Sequence, residues 1–194
     1  SGKAGQEAVQ FLQDKDVLAL GPGMGVGKHL FEFIRHILGK IDISIVIDAD
    51  GLNNISSDID ILKNYRGPIV LTPHPGEMAR LTGESIECII ANPIQSALEL
   101  SRKTGAIVLL KGATTVVANC EGDVYINKTG NSGMASGGSG DVLTGIIASL
   151  IAQGYDPFIA AVVGAFIHGR AGDMAADKNG ETGLIAQDIL DNIP

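Results

Sequence analysis

The chain is short of aromatic residues, cysteine and positive charge. It has no tryptophan, only 4% aromatic residues and two cysteines among 194 residues. Cys88 and Cys120 lack metal-ligand spacing, and nothing in the sequence supports a disulfide between them. With 14 Lys and Arg against 22 Asp and Glu, the net charge is −8. The basic surface that would bind nucleic acid or an anionic membrane is therefore missing, and we expect neither as a partner.

Uninterrupted apolar runs of membrane-spanning length are also missing. The most apolar region, residues 142–168, is broken by a Gln-Gly pair and an Asp-Pro pair, so it predicts two buried helices instead of one membrane span. Residues 1–5 lack the charged-then-apolar pattern of a signal peptide. These features lead us to expect a soluble cytoplasmic protein.

Short apolar runs alternate with helical patterns, which predicts an α/β fold with a mostly parallel sheet covered on both faces. The length suits one domain, residues 1–194. Segments 114–118 and 123–126, separated by a short polar turn, predict an antiparallel hairpin. The other predicted strands are residues 16–20, 43–47, 69–71 and 106–110, and the predicted helices are residues 28–38, 94–103, 141–153, 157–176 and 186–192.

Each of the four predicted parallel strands is followed by a polar or glycine-rich segment. Ligands of open α/β sheets bind at the carboxyl ends of the strands. We therefore expect one shared site, built from residues 21–25, 48–53, 72–77 and 111–115.

The glycine-rich segment at residues 21–27 matches neither standard nucleotide motif. Val26 or Lys28 stands where the last glycine of a dinucleotide fingerprint belongs, and a P-loop would need Ser or Thr in place of His29. Two interpretations of this segment remain open. Its backbone either approaches a ligand closely or makes a tight turn between a strand and a helix.

The most informative stretch is Gly-Gly-Ser-Gly-Asp at residues 137–141, directly before the apolar helical pattern 141–153. Its small residues let backbone N–H groups approach an anion, and the helix directs the positive end of its dipole to the same place. Asp141 then lies where phosphate chemistry needs a base. The alternative is that Asp141 only caps the helix.

Other polar residues of the strand exits are candidates with a structural alternative. Lys111 ends a buried strand and is either directed at a phosphate or solvated. His74, between two prolines, has a rigid backbone and can bind a substrate. Asp48 and Asp50 can hold Mg²⁺ through water, whereas Asp50 can instead cap the next helix. His168 lies on a helical pattern, and we expect it to be structural.

Five motifs occur in order across essentially the whole chain. They are DADGLN at 48–53, LTPHPGEM at 71–78, LKGATT at 110–115, the segment 130–145 and GLIAQD at 183–188. Together they resemble the ADP-dependent (S)-NAD(P)H-hydrate dehydratases, a family of the ribokinase-like superfamily with a three-layer α/β/α fold. Each motif alone is weak, but five in register are specific.

The resemblance implies an enzyme that repairs NAD(P)H hydrated on its nicotinamide ring. Such an enzyme phosphorylates the ring hydroxyl of the S epimer at the expense of ADP, or of ATP, and phosphate then leaves to restore the dihydronicotinamide. We also expect Mg²⁺ with the nucleotide, and the resemblance implies a homo-oligomer such as a tetramer. Family domains normally begin with further strand–helix units, so the resemblance implies an N-terminally incomplete domain.

The same resemblance implies roles for individual residues. Asp141 would be the base that activates the hydroxyl, and it would contact the hydrate. The other implied substrate contacts are Gly23, His74 and Asn131. The implied nucleotide contacts are Lys111, Gly112, Ala113, Thr114, Thr115 and Gly140.

Two other functions fit parts of the pattern. A small-molecule kinase of the ribokinase-like superfamily, such as a vitamin-precursor kinase, would carry nearly the same glycine-rich catalytic loop. A nucleotide-binding module without catalysis would bind nucleotide and turn over no substrate. The motifs at residues 48–53 and 73–77 favour the dehydratase over the kinase.

Overall fold

Six strands form one sheet within residues 2–194, the part of the chain that the computed structural model describes. They are β1 (Val17–Leu20), β2 (Ser44–Ile47), β3 (Ile69–Leu71), β4 (Ile107–Leu110), β5 (Thr115–Ala118) and β6 (Val124–Asn127), and they lie side by side in this order. β1 to β4 are parallel, whereas β5 pairs antiparallel with both β4 and β6. The predicted mostly parallel sheet and the predicted hairpin are confirmed.

Helices connect the parallel strands and cover the sheet. Within residues 2–194 they are α1 (Gly2–Leu12), α2 (Lys28–Leu38), α3 (Ala49–Ile55), α4 (Pro75–Thr82), α5 (Ile86–Ala91), α6 (Pro93–Thr104), α7 (Ser139–Ala152), α8 (Pro157–Asn179) and α9 (Ala186–Leu190), with short 3-10 helices at Ile59–Asn64 and Ser132–Met134. None of these helices combines the length and the apolar character that crossing a membrane requires.

Side chains of each strand alternate between two apolar layers. On one face, Ile45, Ile47 and Leu71 pack among residues of α2 to α6. On the other face, Val46 and Val70 pack against α7 and α8. Burial on both faces explains why the strands are continuous apolar runs in the sequence. The three-layer α/β/α arrangement confirms the predicted fold class.

Most predicted elements lie within three residues of their observed bounds. α7 begins at Ser139, two residues earlier than predicted, so the helix starts inside the glycine-rich stretch. The sequence patterns give no range for α1, α3, α4 and α5, although they allow a helix after Asp50. α4 begins at Pro75, in a segment that we interpreted only as a strand exit.

Candidate active site

The carboxyl ends of β1 to β4 meet at one edge of the sheet. Gly21, directly after β1, has φ 128°, and a Cβ atom there would lie 1.8 Å from the backbone oxygen of Asp48, directly after β2. Only glycine allows this approach, so the segment 21–27 does begin with a tight strand exit. Gly23, with φ 69°, is exposed, and apart from its two chain neighbours no described residue has an atom within 4 Å of a Cβ position there. The backbone at Gly23 is therefore open to a ligand.

Side chains of α3 hold this first loop in place. The Asp50 carboxylate accepts a hydrogen bond from the Gly25 backbone N–H at 2.9 Å. The Asn54 side chain accepts from the Gly27 N–H at 2.9 Å and donates to the Gly25 backbone oxygen at 2.8 Å. Asp50 thus fixes the loop instead of capping α3, whose N-cap is Asp48.

Asp48 joins three elements through one buried carboxylate. It is only 1% exposed. Its Oδ1 lies 2.7 Å from Lys111 Nζ, after β4, and its Oδ2 accepts a hydrogen bond of 2.9 Å from Thr144 Oγ1 in α7. The charge partner and the hydrogen bond offset the cost of removing the carboxylate from water. The same contacts leave the α3 N-terminus without a side-chain cap.

Lys111 is paired instead of solvated. Its side chain is 22% exposed, and Nζ also lies 3.9 Å from Glu77 Oε2 of α4. The ammonium therefore lies between two carboxylates, at the edge of the sheet where the strand exits meet. The next residues, Gly112, Ala113 and Thr114, form an exposed turn before β5.

His74 begins α4 by a reciprocal cap. Its Nδ1 accepts hydrogen bonds from the backbone N–H groups of Gly76 at 2.9 Å and Glu77 at 3.3 Å, and the Glu77 carboxylate accepts from the His74 N–H at 2.8 Å. Pro75 occupies the first helical position, where no N–H is needed. Because Nδ1 accepts, Nε2 carries the ring proton. This Nε2 lies 3.5 Å from Glu77 Oε1 on a half-exposed side chain, so a ligand can reach it.

The glycine-rich turn lies against the Asp48–Lys111 pair. Gly138, with φ 85°, is the N-cap of α7, so Asp141 is not the N-cap. A Cβ atom on Gly140 would lie 3.3 Å from Lys111 Nζ and 3.5 Å from Asp48 Oδ2. Asp141 is exposed in the first turn of α7, and its carboxylate has no hydrogen bond or ion pair to another residue of the described chain. A free carboxylate and a held ammonium thus flank one helix N-terminus.

His168 lies beneath this turn. Its Nε2 is 2.9 Å from the backbone oxygen and 3.3 Å from Oγ of Ser139, the first residue of α7. The pKa of His168 is lowered to about 4, mainly by burial; the hydrogen bond to the Ser139 backbone raises it and the nearby Lys111 charge lowers it, both by smaller amounts. His168 is therefore neutral near pH 7 and structural, in line with the sequence-based expectation.

Asn131 is held on α8 by Asp173. Asn131 Oδ1 accepts from the Gly133 N–H at 3.1 Å, and its Nδ2 donates to Asp173 Oδ1 at 3.2 Å. The other Asp173 oxygen accepts from the Gly130 N–H at 3.1 Å. One hydrogen of the Asn131 amide remains for a ligand.

Sequence reasoning missed three residues that hold the loops: Asn54, Thr144 and Asp173. Thr144 and Asn54 are buried polar side chains on helices whose neighbouring buried residues are apolar. Such side chains need a partner, and this was a signal for both residues. Asp173 had a different signal, since Gly169 and Gly172 beside it leave room for another segment to approach α8.

The site residues do not by themselves suit a metal cage. No group of three or more His, Cys, Asp or Glu residues within the described part of the chain is arranged to hold a metal ion. Both Asp48 oxygens are already bonded to Lys111 and Thr144, and Asp50 is bonded to Gly25. Direct ligation of Mg²⁺ by Asp48 therefore does not fit, whereas the Asp50 oxygen that is not bonded to Gly25 is free to contact a water bound to Mg²⁺; the remaining ligands would be nucleotide phosphates and water.

Comparison with known proteins gives one consistent family. The profile of the NAD(P)H-hydrate dehydratases matches residues 2–194. Over 94% of its length the chain is 48% identical to a bifunctional NAD(P)H-hydrate repair enzyme of Moorella thermoacetica, of which it covers 34%. Over 91% of its length it is 40% identical to an ADP-dependent (S)-NAD(P)H-hydrate dehydratase of Neisseria meningitidis serogroup B, of which it covers 61%.

A solved structure agrees with the sequence matches. The ADP/ATP-dependent NAD(P)H-hydrate dehydratase from Bacillus subtilis, co-crystallised with ATP/Mg²⁺, superposes with a TM-score of 0.84 at 30% identity, over 94% of this chain and 64% of that one. The chain thus spans only part of the length of these relatives. The resemblance of its five motifs is confirmed: the chain belongs to the NAD(P)H-hydrate dehydratase family.

Proposed function

We propose that the chain carries out the nucleotide-dependent dehydration of the S epimer of hydrated NAD(P)H back to NAD(P)H. The observation that carries this proposal is the placement of two charged groups at the start of α7. Asp141 is exposed and has no hydrogen bond or ion pair within residues 2–194, and it flanks the same helix N-terminus as the ammonium of Lys111, which lies next to Gly140. A base, a fixed cation and a helix dipole are the parts that phosphoryl transfer to a hydroxyl needs.

The reaction proceeds in two balanced steps. In the first step the oxygen of the ring hydroxyl bonds to the terminal phosphorus of ADP, and Asp141 takes the proton of that hydroxyl. The bond between this phosphorus and the bridging oxygen breaks, which releases AMP. The carbon–oxygen bond of the phosphorylated ring then breaks and phosphate leaves, and the adjacent carbon releases a proton to water, which restores the ring double bond.

The other proposed contacts are accessible at the same edge of the sheet. His74 offers its Nε2–H, Gly23 its open backbone and Asn131 a free amide hydrogen to the hydrate. We propose that the nucleotide contacts Gly140 and the turn of residues 111–115, of which Gly112, Ala113 and Thr114 are exposed. We further propose that residues 1–194 act as one catalytic domain.

ADP is the proposed co-substrate, with ATP as the alternative, and Mg²⁺ is proposed to arrive bound to the nucleotide phosphates. We propose a cytoplasmic location, where NAD(P)H and ADP are both present.

We also propose a homo-oligomer, specifically a tetramer. Phe11, Val26 and Ile90, which are 69%, 61% and 63% exposed, offer apolar surface that association would bury. Light scattering coupled to size-exclusion chromatography gives the mass that tests this.

The decisive experiment incubates the chain with purified S hydrate and, separately, ADP or ATP with Mg²⁺. We expect the absorbance of the reduced nicotinamide ring to return, with one AMP from ADP (or one ADP from ATP) and one phosphate released per ring restored. A stable phosphorylated product without the return of absorbance would instead establish a kinase. Nucleotide binding without turnover would indicate a module that lacks catalysis.

A further inference from the structure

We propose that Asp48 and Thr144 are positioning residues that hold the Lys111 ammonium at the transferable phosphoryl group of the nucleotide. Lys111 then binds the terminal phosphate of ADP, whereas the adenylate part is left to residues 112–115, of which 112–114 are exposed. This inference rests on the proposed function and refines its nucleotide site.

The direction of the Lys111 side chain separates it from the residues that follow. Gly112, Ala113 and Thr114 are exposed at the outer turn between β4 and β5. The Lys111 side chain instead is mostly buried, and its Nζ lies against Gly140 at the start of α7. That is the helix terminus at which an anion is most favoured.

The carboxylate of Asp48 holds the Lys111 ammonium in place. One oxygen contacts Lys111 Nζ at 2.7 Å, and Thr144 donates to the other at 2.9 Å. Thr144 belongs to α7, so the carboxylate ties the ammonium to the same helix that begins with the glycine-rich turn. An ammonium has three protons, and Asp48 and the more distant Glu77 leave at least one for a phosphate oxygen.

Two carboxylates surround this ammonium, Asp48 at 2.7 Å and Glu77 at 3.9 Å, so the attraction for phosphate oxygens comes from the free ammonium proton and the N-terminus of α7 and not from a net positive charge of the cluster. Asp48 is 1% exposed, so its interaction with Lys111 is little screened by water. The cation is therefore held without long side-chain motion, and its position does not have to be created when the nucleotide binds.

The backbone around Asp48 is strained, as expected for a position that must be kept. Ala49, directly after Asp48, has φ 47°, the one positive φ outside glycine within residues 2–194. Alanine rarely adopts this conformation, and strain of this kind is retained when the surrounding structure fixes it. Ala49 is the first residue of α3, so this strain lies where the chain passes from Asp48 into that helix.

Calorimetric titration of the 194-residue chain with AMP and with ADP tests the inference without any hydrate. Asp48→Asn removes the charge but keeps the shape, and Thr144→Val removes only the hydroxyl. We expect Asp48→Asn to weaken ADP binding roughly tenfold or more, by the usual strength of a charge-assisted hydrogen bond. Thr144→Val should weaken it by a smaller factor, and Thr144→Ser should restore it. AMP binding should change less than about twofold, because AMP lacks the terminal phosphate.

Asp60→Asn is the matched control, since Asp60 pairs with Lys63 on the surface at 2.9 Å. It should leave both affinities unchanged. Circular dichroism shows whether Asp48→Asn folds. If it does not, the AMP and ADP affinities of Thr144→Val and Thr144→Ser test the inference instead. Equal losses for AMP and ADP would overturn the inference, as would unchanged ADP affinity in Asp48→Asn and Thr144→Val, or a wild-type chain that binds ADP no more tightly than AMP. Because no turnover is measured, these outcomes are independent of whether the chain dehydrates NAD(P)H hydrate.

Discussion

His168 Nε2 donates a hydrogen bond to the backbone oxygen of Ser139 across 2.9 Å, which ties the middle of α8 to the first residue of α7. A carbonyl oxygen can only accept, so the ring proton must be on Nε2. Gly140 and Asp141 follow Ser139 directly, and a displacement of Ser139 would move both of them. His168 therefore supports the glycine-rich turn from within the protein.

The stability of the protein should fall on mild acidification because of His168. Its pKa is about 4 in the folded protein against 6.5 for an ordinary histidine. The unfolded chain therefore takes up a proton first as pH falls, and the stabilisation present above pH 6.5 is lost progressively down to about pH 4. This site alone should lower the free energy of unfolding by roughly 2 kcal/mol between pH 7 and pH 5.

The measurement is urea unfolding of wild type and His168→Gln at both pH values. The glutamine amide can still donate to Ser139 but does not titrate, so the variant should lose less stability on acidification. His29→Gln, at an exposed position of α2, serves as the control and should keep the wild-type pH dependence. Equal pH dependence in wild type and His168→Gln would show that His168 titrates normally.

Asp141→Asn should abolish most turnover and leave the fold intact. The carboxylate is exposed, and it is not the N-cap of α7, so its loss costs little stability. Removal of the proposed general base should reduce kcat about 100-fold or more. Steady-state kinetics with NAD(P)H hydrate and ADP give the answer, and Asp177→Asn, an exposed position of α8, is the matched control. If Asp141→Asn keeps the wild-type kcat, Asp141 is not the general base.

The sequence predicted the layers of the fold well but the contacts of the site less well. Apolar β-branched runs such as Ile43–Ile47 are long enough to show burial on both faces, and this fixes the strands and their carboxyl ends. Periodicity does not tell which strand exits touch. The Asp48–Lys111 and Asp48–Thr144 contacts join residues 63 and 96 positions apart, and they depend on the strand order and on the placement of α7.

His74 illustrates a different limit. A histidine between prolines looked like a substrate contact, and that role stays a prediction. The sequence also contained the signs of a helix start, with Pro75 at the first position and Glu77 three residues after the cap. A histidine in the capping position hid this signal, because Ser, Thr, Asp and Asn are the usual caps.

Lys111→Gln should destabilise the fold through Asp48. The substitution leaves a carboxylate that is 1% exposed without its charge partner, which should cost about 3 kcal/mol in the free energy of unfolding. The double variant Lys111→Gln with Asp48→Asn removes the uncompensated charge and should recover most of this loss. Denaturant unfolding of wild type, the two single variants and the double variant gives the four unfolding free energies of a double-mutant cycle. Strictly additive losses would mean that the two groups do not interact.

Gly140→Ala should reduce nucleotide affinity without unfolding the protein. Gly140 lies inside α7, where alanine is favoured, but its Cβ would lie 3.3 Å from Lys111 Nζ and 3.5 Å from Asp48 Oδ2. The side chain of Lys111 must then move, and the added methyl group occupies part of the space through which a phosphate would reach the backbone N–H groups. Gly145→Ala is a control on the same helix, since no atom lies within 4 Å of its Cβ position. That substitution should raise stability by about 0.5–1 kcal/mol through helix propensity and leave ADP affinity unchanged. If both variants bind ADP as wild type does, the turn around Gly140 does not contact the nucleotide.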